Sequence, residues 1–437
     1  MSTAIVVGGG IGGLATALGL TRRGWEVRVL ERAPELTEVG AGISLWSNAL
    51  RALDALGVGA AIRAQAVEDA SAGIRDARGR WLSRTDIATL RARFGAPVVI
   101  HRAALLDILR SALPGDVVRT GVTVTDVDPD GTVRHTAEAS GVDSDGRVRR
   151  VAEASGVDSD GTVRRVAEAS GVDSDGTVRH SAGASGADSG ETVRQAAGVD
   201  FDGAVRPAAT ASSADLVVGA DGLRSVVRRA VCGEIPARYA GYTAWRAVVE
   251  LAEPLTEFGE TWGRGARFGI APLADGRTYC FAVYNAPEGA PGSFAEVRAR
   301  FADWHDPVPA LLAAADPDTV LHNDIYELPA LPTYTAGRVA LIGDAAHAMT
   351  PNLGQGGCQA LEDAVVLARL AGEPGGLARY DRERRPRTQM IAARSARIGT
   401  VAQLSAAPLV VLRDNALRLT PAAVPMRALA QVLDWPC

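Results

Sequence analysis

An apolar run, Ala4-Ile5-Val6-Val7, enters Gly8-Gly9-Gly10-Ile11-Gly12-Gly13, passes through an alanine- and leucine-rich stretch, and returns through Gly24 to Val27-Arg28-Val29-Leu30 and Glu31. This order reads as strand, phosphate loop, helix, strand and acid, the opening of a dinucleotide-binding unit. Gly8 permits a tight turn off the strand, Gly10 lets a backbone approach a pyrophosphate, and Gly13 with Ala17 lets the helix lie close to the sheet. The start of the helix then offers free N–H groups and its positive dipole end to phosphates. Glu31 stands eighteen residues after Gly13, where a carboxylate accepts ribose hydroxyls and repels a 2′-phosphate, so FAD or NAD is favoured over NADP. No basic region precedes the first apolar run, which argues against a signal peptide.

A chain of 437 residues with 47% hydrophobic content can bury a large core and is expected to hold two or three structural units. No apolar run reaches the length of a membrane span, so a soluble protein with no membrane partner is expected. A net charge of −5 gives no reason to expect nucleic acid. Cys232, Cys280, Cys358 and Cys437 are scattered without CxxC spacing; that argues against a zinc ribbon or dithiol centre and suits the cytoplasm. All 46 basic residues are arginine, which excludes lysine-dependent Schiff-base chemistry and a Walker phosphate site.

The middle of the chain repeats itself. Residues 149–163 recur unchanged at 164–178, with variants at 134–148 and 179–193 and a truncated copy at 194–205. Each unit combines a short strand-capable stretch such as 162–167 with the turn-rich Ser-Gly-Val-Asp-Ser-Asp-Gly. The seed is Asp128-Pro129-Asp130-Gly131, a hairpin signal with glycine at the left-handed position. A calcium loop on Asp126, Asp128 and Asp130 is disfavoured, because Ala137 holds the twelfth position. A β-rich or mobile, dispensable insertion over 134–206 is expected.

Two more apolar runs end in an aspartate: Ala214 to Asp221-Gly222, and Val339 to Gly343-Asp344. The carboxyl ends of parallel strands are where α/β sheets bind ligands, although a buried aspartate also serves simply to cap a helix. Beyond Asp344, Pro351-Asn352-Leu353-Gly354-Gln355-Gly356-Gly357 leads into a helix from Cys358 to Leu370. Glycines ahead of a helix allow a planar ring to approach its N–H groups, and the dipole there stabilises negative charge on that ring.

With these three motifs in this order, the chain resembles the group A flavoprotein monooxygenases. Gly40-Ala41-Gly42-Ile43, His101-Arg102, Gly241 to Arg246 and Gly354 to Gly357 look most like the branch of salicylate and 3-hydroxybenzoate hydroxylase, urate hydroxylase and zeaxanthin epoxidase. The resemblance spans nearly everything outside 134–206. It implies an α/β fold with a Rossmann-like FAD-binding domain of glutathione-reductase type (1–70, 96–133, 207–235 and 337–373), a β-sheet substrate domain (71–95 and 236–336) and a helical C-terminus (374–437). FAD is the implied cofactor and NAD(P)H a transient co-substrate, with oxygen passing from O2 through a flavin C4a-hydroperoxide to an aromatic or polycyclic small molecule. The protein would be a monomer or homodimer. Gly8, Gly10, Ile11, Gly12 and Gly13 would hold the pyrophosphate, and Glu31 the ribose with Arg32 beside it. Arg102 would reach the pyrophosphate and the Val124 backbone the adenine. Asp221 belongs to the family's dual flavin and nicotinamide motif. Gly343-Asp344 would contact the ribityl chain, while Gly42, Pro351, Gly354, Gly356 and Gly357 flank the isoalloxazine.

Only one GxGxxG is present, which disfavours disulfide reductases and two-dinucleotide oxygenases. The substrate is expected against a second sheet in 236–330, where Phe268, Ile270 and Pro272 alternate before the turn Ala274 to Arg277, followed by Tyr279, Phe281 and Val283. Trp245, Arg246, Phe268, Pro272, Tyr279 and Phe281 are the pocket candidates, with Arg246 suited to a carboxylate or phenolate. No general base stands out: His305 and His322 read as solvated, and His347 as a structural hydrogen-bonder. Residues 377–397 read as an amphipathic helix, and the remainder to Trp435 as helical packing. Epoxidation or Baeyer–Villiger oxidation on the same fold, or a binding role through the repeats, are the alternatives to hydroxylation.

Overall fold

In the computed structural model, residues 1–36, 42–68, 73–84, 87–137, 150–157, 163–172, 178–180, 209–421 and 423–436 are described. The apolar runs that end in Glu31, Asp221 and Asp344 belong, with the first strand, to one six-stranded sheet. Its order is Thr335–Ala336, Val339–Leu341, Leu216–Gly219, Thr3–Val7, Glu26–Leu30 and Val118–Arg119. All pairings are parallel except that of Thr335–Ala336. Strands buried on both faces need continuous apolar runs, and Leu216–Gly219 is buried throughout. Because the strands run the same way, the phosphate loop, Glu31 and both aspartate turns emerge at one end.

Helices Ile11–Thr21 and Gly356–Leu370 pack together on this sheet through small residues. A side chain on Gly19 would meet the Ala368 Cβ at 2.9 Å, and one on Gly12 would meet Ala360 at 3.2 Å. This close approach brings the second helix, with its glycine-rich start, against the first.

The expected substrate sheet has seven strands: Leu321–Glu327, Arg238–Val249, Thr278–Asn285, Ala266–Pro272, Gly259–Trp262, Gly73–Asp76 and Trp81–Arg84. The expected turn joins two of them, with Gly276 at φ +85° and the Asp275–Arg277 pair closing it. One face is covered by helices Phe294–Arg300 and Val308–Ala314; their Val297, Val308 and Leu311, with Phe301 just past the first helix, pack against Phe268 and Ala282. A three-stranded sheet of Gly42–Leu45, Val98–His101 and Val67–Glu68 lies beside it.

Asp128 to Gly131 forms the hairpin tip between Val122–Val127 and Thr132–Ala137, with Gly131 at φ +98°. Asp126 and Asp128 both bind Arg134, so an arginine occupies the place a cation would need. Within the repeat, Arg150–Val157, Val163–Val172 and Val178–His180 make a separate antiparallel sheet. The strands run through Ser-Gly-Val, which the sequence reading gave to the turn; the rest of the insertion lies outside the described residues.

The C-terminus is helical, with Gly376–Ala402, Ala407–Leu419 and Ala423–Leu433 in succession. No single described helix is long and apolar enough to cross a membrane.

Candidate active site

The glycines of the first loop divide into two groups. A side chain on Gly13 would stand 1.9 Å from the Gly8 carbonyl oxygen, and one on Gly8 would stand 2.4 Å from that of Ala220. Gly10 faces open space, and the helix it precedes has no side-chain cap. Gly8 and Gly13 therefore let the loop pack on itself, while Gly10 keeps the orphan N–H groups of the helix start accessible. We expect Gly13→Ala to lower the thermal midpoint by several degrees. Gly10→Ala, with room for its methyl and φ of −72°, should leave that midpoint unchanged while weakening FAD binding in a titration.

Glu31 ties the second strand to this loop. One carboxylate oxygen accepts from the Gly9 N–H at 2.6 Å and the other from the Ala33 N–H at 2.9 Å, leaving lone pairs on both. Arg32 beside it is exposed. Val122 donates its N–H to the Glu31 carbonyl, which brings the strand of Val124 alongside. That strand is the edge of its sheet, so its outer backbone groups face away from the ladder.

The two aspartates differ sharply. Asp221 accepts from the Ser225 hydroxyl at 2.6 Å and from the Val226 and Val227 N–H groups, so its carboxylate serves its own turn. Burial pushes that carboxyl upward, against these hydrogen bonds. Buried Arg228, which the sequence reading missed, donates to the Leu223 carbonyl at 2.8 Å and to the Ala345 carbonyl at 3.2 Å. It thereby joins the Asp221 turn to the short helix that Asp344 begins. Asp344 itself is exposed and accepts no hydrogen bond among the described residues. Its carboxylate lies beside Gly356, whose added Cβ would be 4.0 Å away.

Beneath these turns lies an ion network that no local motif announces. Asp363 accepts from the Gly343 N–H at 3.0 Å, from His347 Nε2 at 2.5 Å and from Arg384 Nε at 2.7 Å. Arg384 also binds Glu362, which takes two further bonds from Arg387 at 2.7 and 2.9 Å and one from Asn48 at 2.6 Å. Asn48 donates again to Gln355 at 3.0 Å. Glu362, Asp363 and Arg384 are fully buried. Burial raises the Asp363 carboxyl, but His347 and Arg384 outweigh it and hold it at about 2. His347 is thus structural, as expected. The one available signal was the acid pair at 362–363 inside a largely apolar helix.

Around the turn from Pro351 to Gly357, Trp46 Nε1, Asn48 Oδ1, Asn352 Oδ1 and Gln355 Nε2 are buried without partners. Gly354, at φ +60°, lies against the Trp46 indole. Strand Gly42–Leu45 bridges to the substrate sheet: Ile43 contacts Gly357, and the Gly42 backbone lies directly against the Tyr279 ring, which an added Cβ would meet at 2.8 Å.

The seven-stranded sheet sorts the pocket candidates by face. Trp245 and Phe268 belong to the helix-covered core, and Pro272 is buried on the same side of its strand as Phe268. Trp245 stacks on His322 at 4.0 Å and donates to the Tyr284 hydroxyl, so alternation places it behind the sheet and away from the expected pocket. His322 and His305, expected to be solvated, are half-buried and bind the hydroxyls of Thr243 and Thr261 at 2.7 and 2.8 Å. Arg246, Tyr279 and Phe281 occupy the opposite, inner face. The end of the Phe281 ring lies against Gly269, and the Tyr279 and Phe281 ring centroids are 6.0 Å apart. Arg246 Nη1 donates to Asn323 at 3.1 Å. Burial pushes the Tyr279 phenol up, while the charges of Arg246 and Arg102 pull against that shift.

Residues 1–395 match the family described as FAD binding domain. An aurachin C monooxygenase/isomerase from Stigmatella aurantiaca is 35% identical over 95% of this chain and 94% of its own. A 3-amino-4-hydroxybenzoate 2-monooxygenase from Streptomyces cremeus is 32% identical over 95% and 91%. Among solved structures, Klebsiella pneumoniae HpxO in complex with FAD and uric acid superposes with a TM-score of 0.73 and 26% identity, covering 99% of this chain and 96% of that one.

Proposed function

Because the chain belongs to the group A single-component FAD-dependent aromatic monooxygenases, close to the salicylate and urate hydroxylases, we propose that its converging segments hold one FAD against a small aromatic or heteroaromatic substrate on the inner face of the seven-stranded sheet. The donor set suits that group. Gly10 is open, the helix behind it is uncapped, Asp344 has a free carboxylate, and unpartnered polar atoms surround the glycine turn at 354–357.

Ile11, Gly12 and Gly13 would give their N–H groups to the pyrophosphate, with Arg102 adding charge. Glu31 would use its remaining lone pairs on the ribose, with Arg32 alongside, and the Val124 backbone would meet the adenine. Asp344 would accept from ribityl hydroxyls. Gly42, Pro351, Gly354, Gly356 and Gly357 would flank the ring, and the start of helix Gly356–Leu370 would stabilise negative charge on it. Asp221 contributes by shaping the turn that Arg228 anchors. FAD held there would supply the redox chemistry with NAD(P)H and O2 that delivers one oxygen atom to the substrate.

The observation that carries this reading is the contact between Gly42 and Tyr279, which brings the ring-flanking strand against the inner face. Arg246, Tyr279 and Phe281 there join one cation to two aromatic rings. That set suits an acidic or phenolic ring, in keeping with the uric acid bound by HpxO and the aminohydroxybenzoate of the Streptomyces relative.

The test is NAD(P)H consumption by the FAD-loaded protein over a panel of phenols, aryl carboxylates and N-heteroaromatics. At least one member should stimulate it; no stimulation across the panel counts against the reading. Arg246→Ala should retain FAD and raise the KM of the stimulating substrate by about ten- to a hundredfold, the loss of one charged hydrogen bond. Unchanged kinetics would remove Arg246 from the pocket.

A further inference from the structure

Six of the seven large apolar side chains left exposed among the described residues lie between 401 and 424: Val401, Leu409, Val411, Leu412, Leu419 and Val424. Helix Ala407–Leu419 buries an arginine beside Val410 and leaves several large apolar side chains outside. Arg413 is buried, donating to the carbonyls of Ala402 and Gly263, whereas Leu412 and Leu419 are 66% and 81% exposed. By helical register Leu409, Leu412, Ala416 and Leu419 share the outward side, where no charged residue interrupts them. Val401, in the last turn of the preceding helix, and Val424, in the first turn of the next, are exposed as well.

Its rim is cationic. Arg397 lies one turn before Val401 and Arg427 one turn after Val424; both are exposed and neither forms an ion pair among the described residues. From Gly376 onward the chain carries ten arginines against four carboxylates, although its net charge is −5. A second copy seated here would set one arginine rim against another, with few exposed carboxylates to answer it. An anionic bilayer matches both the apolar strip and the rim.

We propose that helix Ala407–Leu419, with Val401 and Val424, is an in-plane docking surface for an anionic lipid bilayer. The expectation of no membrane partner rested on the lack of a spanning run, and an in-plane helix needs none. Docking would place the oxygenase where lipophilic aromatic compounds partition.

The experiment is flotation of the full-length, FAD-loaded protein with vesicles of phosphatidylcholine alone or mixed equally with phosphatidylglycerol. The wild type should float with the mixed vesicles and about tenfold less with phosphatidylcholine alone, as expected of joint apolar and electrostatic binding. The combined variant Leu409→Ser, Leu412→Ser, Leu419→Ser should lose flotation while keeping its FAD content and NAD(P)H oxidation. The combined variant Arg397→Gln, Arg427→Gln should lose the preference for phosphatidylglycerol. Wild-type protein that stays in the soluble fraction with both vesicles, or a serine variant that floats like wild type, overturns the proposal. So does a dimer that the serine substitutions dissociate, if no vesicle binds.

Discussion

Arg384→Met is expected to destabilise the protein by ~3–5 kcal/mol, because it strands two buried carboxylates that now share one guanidinium. Glu362 would retain Arg387 and Asn48, but Asp363 would keep only His347 and one backbone N–H. The loss should appear as a lower midpoint in urea. It should also weaken FAD binding, since Asp363 positions Gly343 directly ahead of Asp344. The same network dictates an acid response. The Asp363 carboxyl stands at about 2 in the fold against an ordinary value of 3.8. A carboxyl lowered by folding stabilises fully above its unfolded value and loses that contribution as pH falls through its folded one. Stability should therefore decline from about pH 4 towards pH 2, and Asp363→Asn should flatten that segment of the profile. An Arg384→Met protein with an unchanged midpoint would show that the network contributes nothing.

Asp344→Ala is expected to weaken FAD by about ten- to a hundredfold, the range for a charged hydrogen bond lost to a ligand. The apoprotein should unfold at the same temperature as wild type. Asp344 is exposed and accepts no hydrogen bond among the described residues, so the fold loses no interaction with it. Asp221→Ala should do the reverse, because its carboxylate holds three bonds within its own turn. Flavin titration together with thermal unfolding of the apoproteins separates the two. Undiminished flavin affinity in Asp344→Ala would place that residue outside the site.

These two aspartates mark the limit of what strand patterns disclose. Both stand at the carboxyl ends of apolar runs, and the sequence sets them side by side as candidates. Only the structure shows that Ser225, four residues on, turns one inward. The glycine loop was legible because its spacing is written within six residues, and the hairpin at Asp128 to Gly131 because turn chemistry is local. Alternation marked 266–272 and 278–285 as strands, but it grouped Phe268 and Pro272 with Tyr279 and Phe281 as pocket candidates, and the pairing register sets these on opposite faces. It could not say which face the helices cover, because both are apolar, and Trp245 and Phe268 proved to lie behind the sheet. The network escaped notice for a related reason. Asp363 and Arg384 are twenty-one residues apart on different helices, and an arginine-rich segment reads as solvated surface until tertiary packing turns one guanidinium inward. The exposed leucines of Ala407–Leu419 are the converse, apolar residues that read as packing and face outward.

The most direct test of the oxygenase assignment is the mass of the product formed under isotopically labelled dioxygen, with NAD(P)H and a substrate that stimulates its consumption. The product should be heavier than the substrate by one labelled oxygen atom. Hydrogen peroxide formed in equal amount to the NAD(P)H consumed, with every tested compound recovered unlabelled, would contradict it.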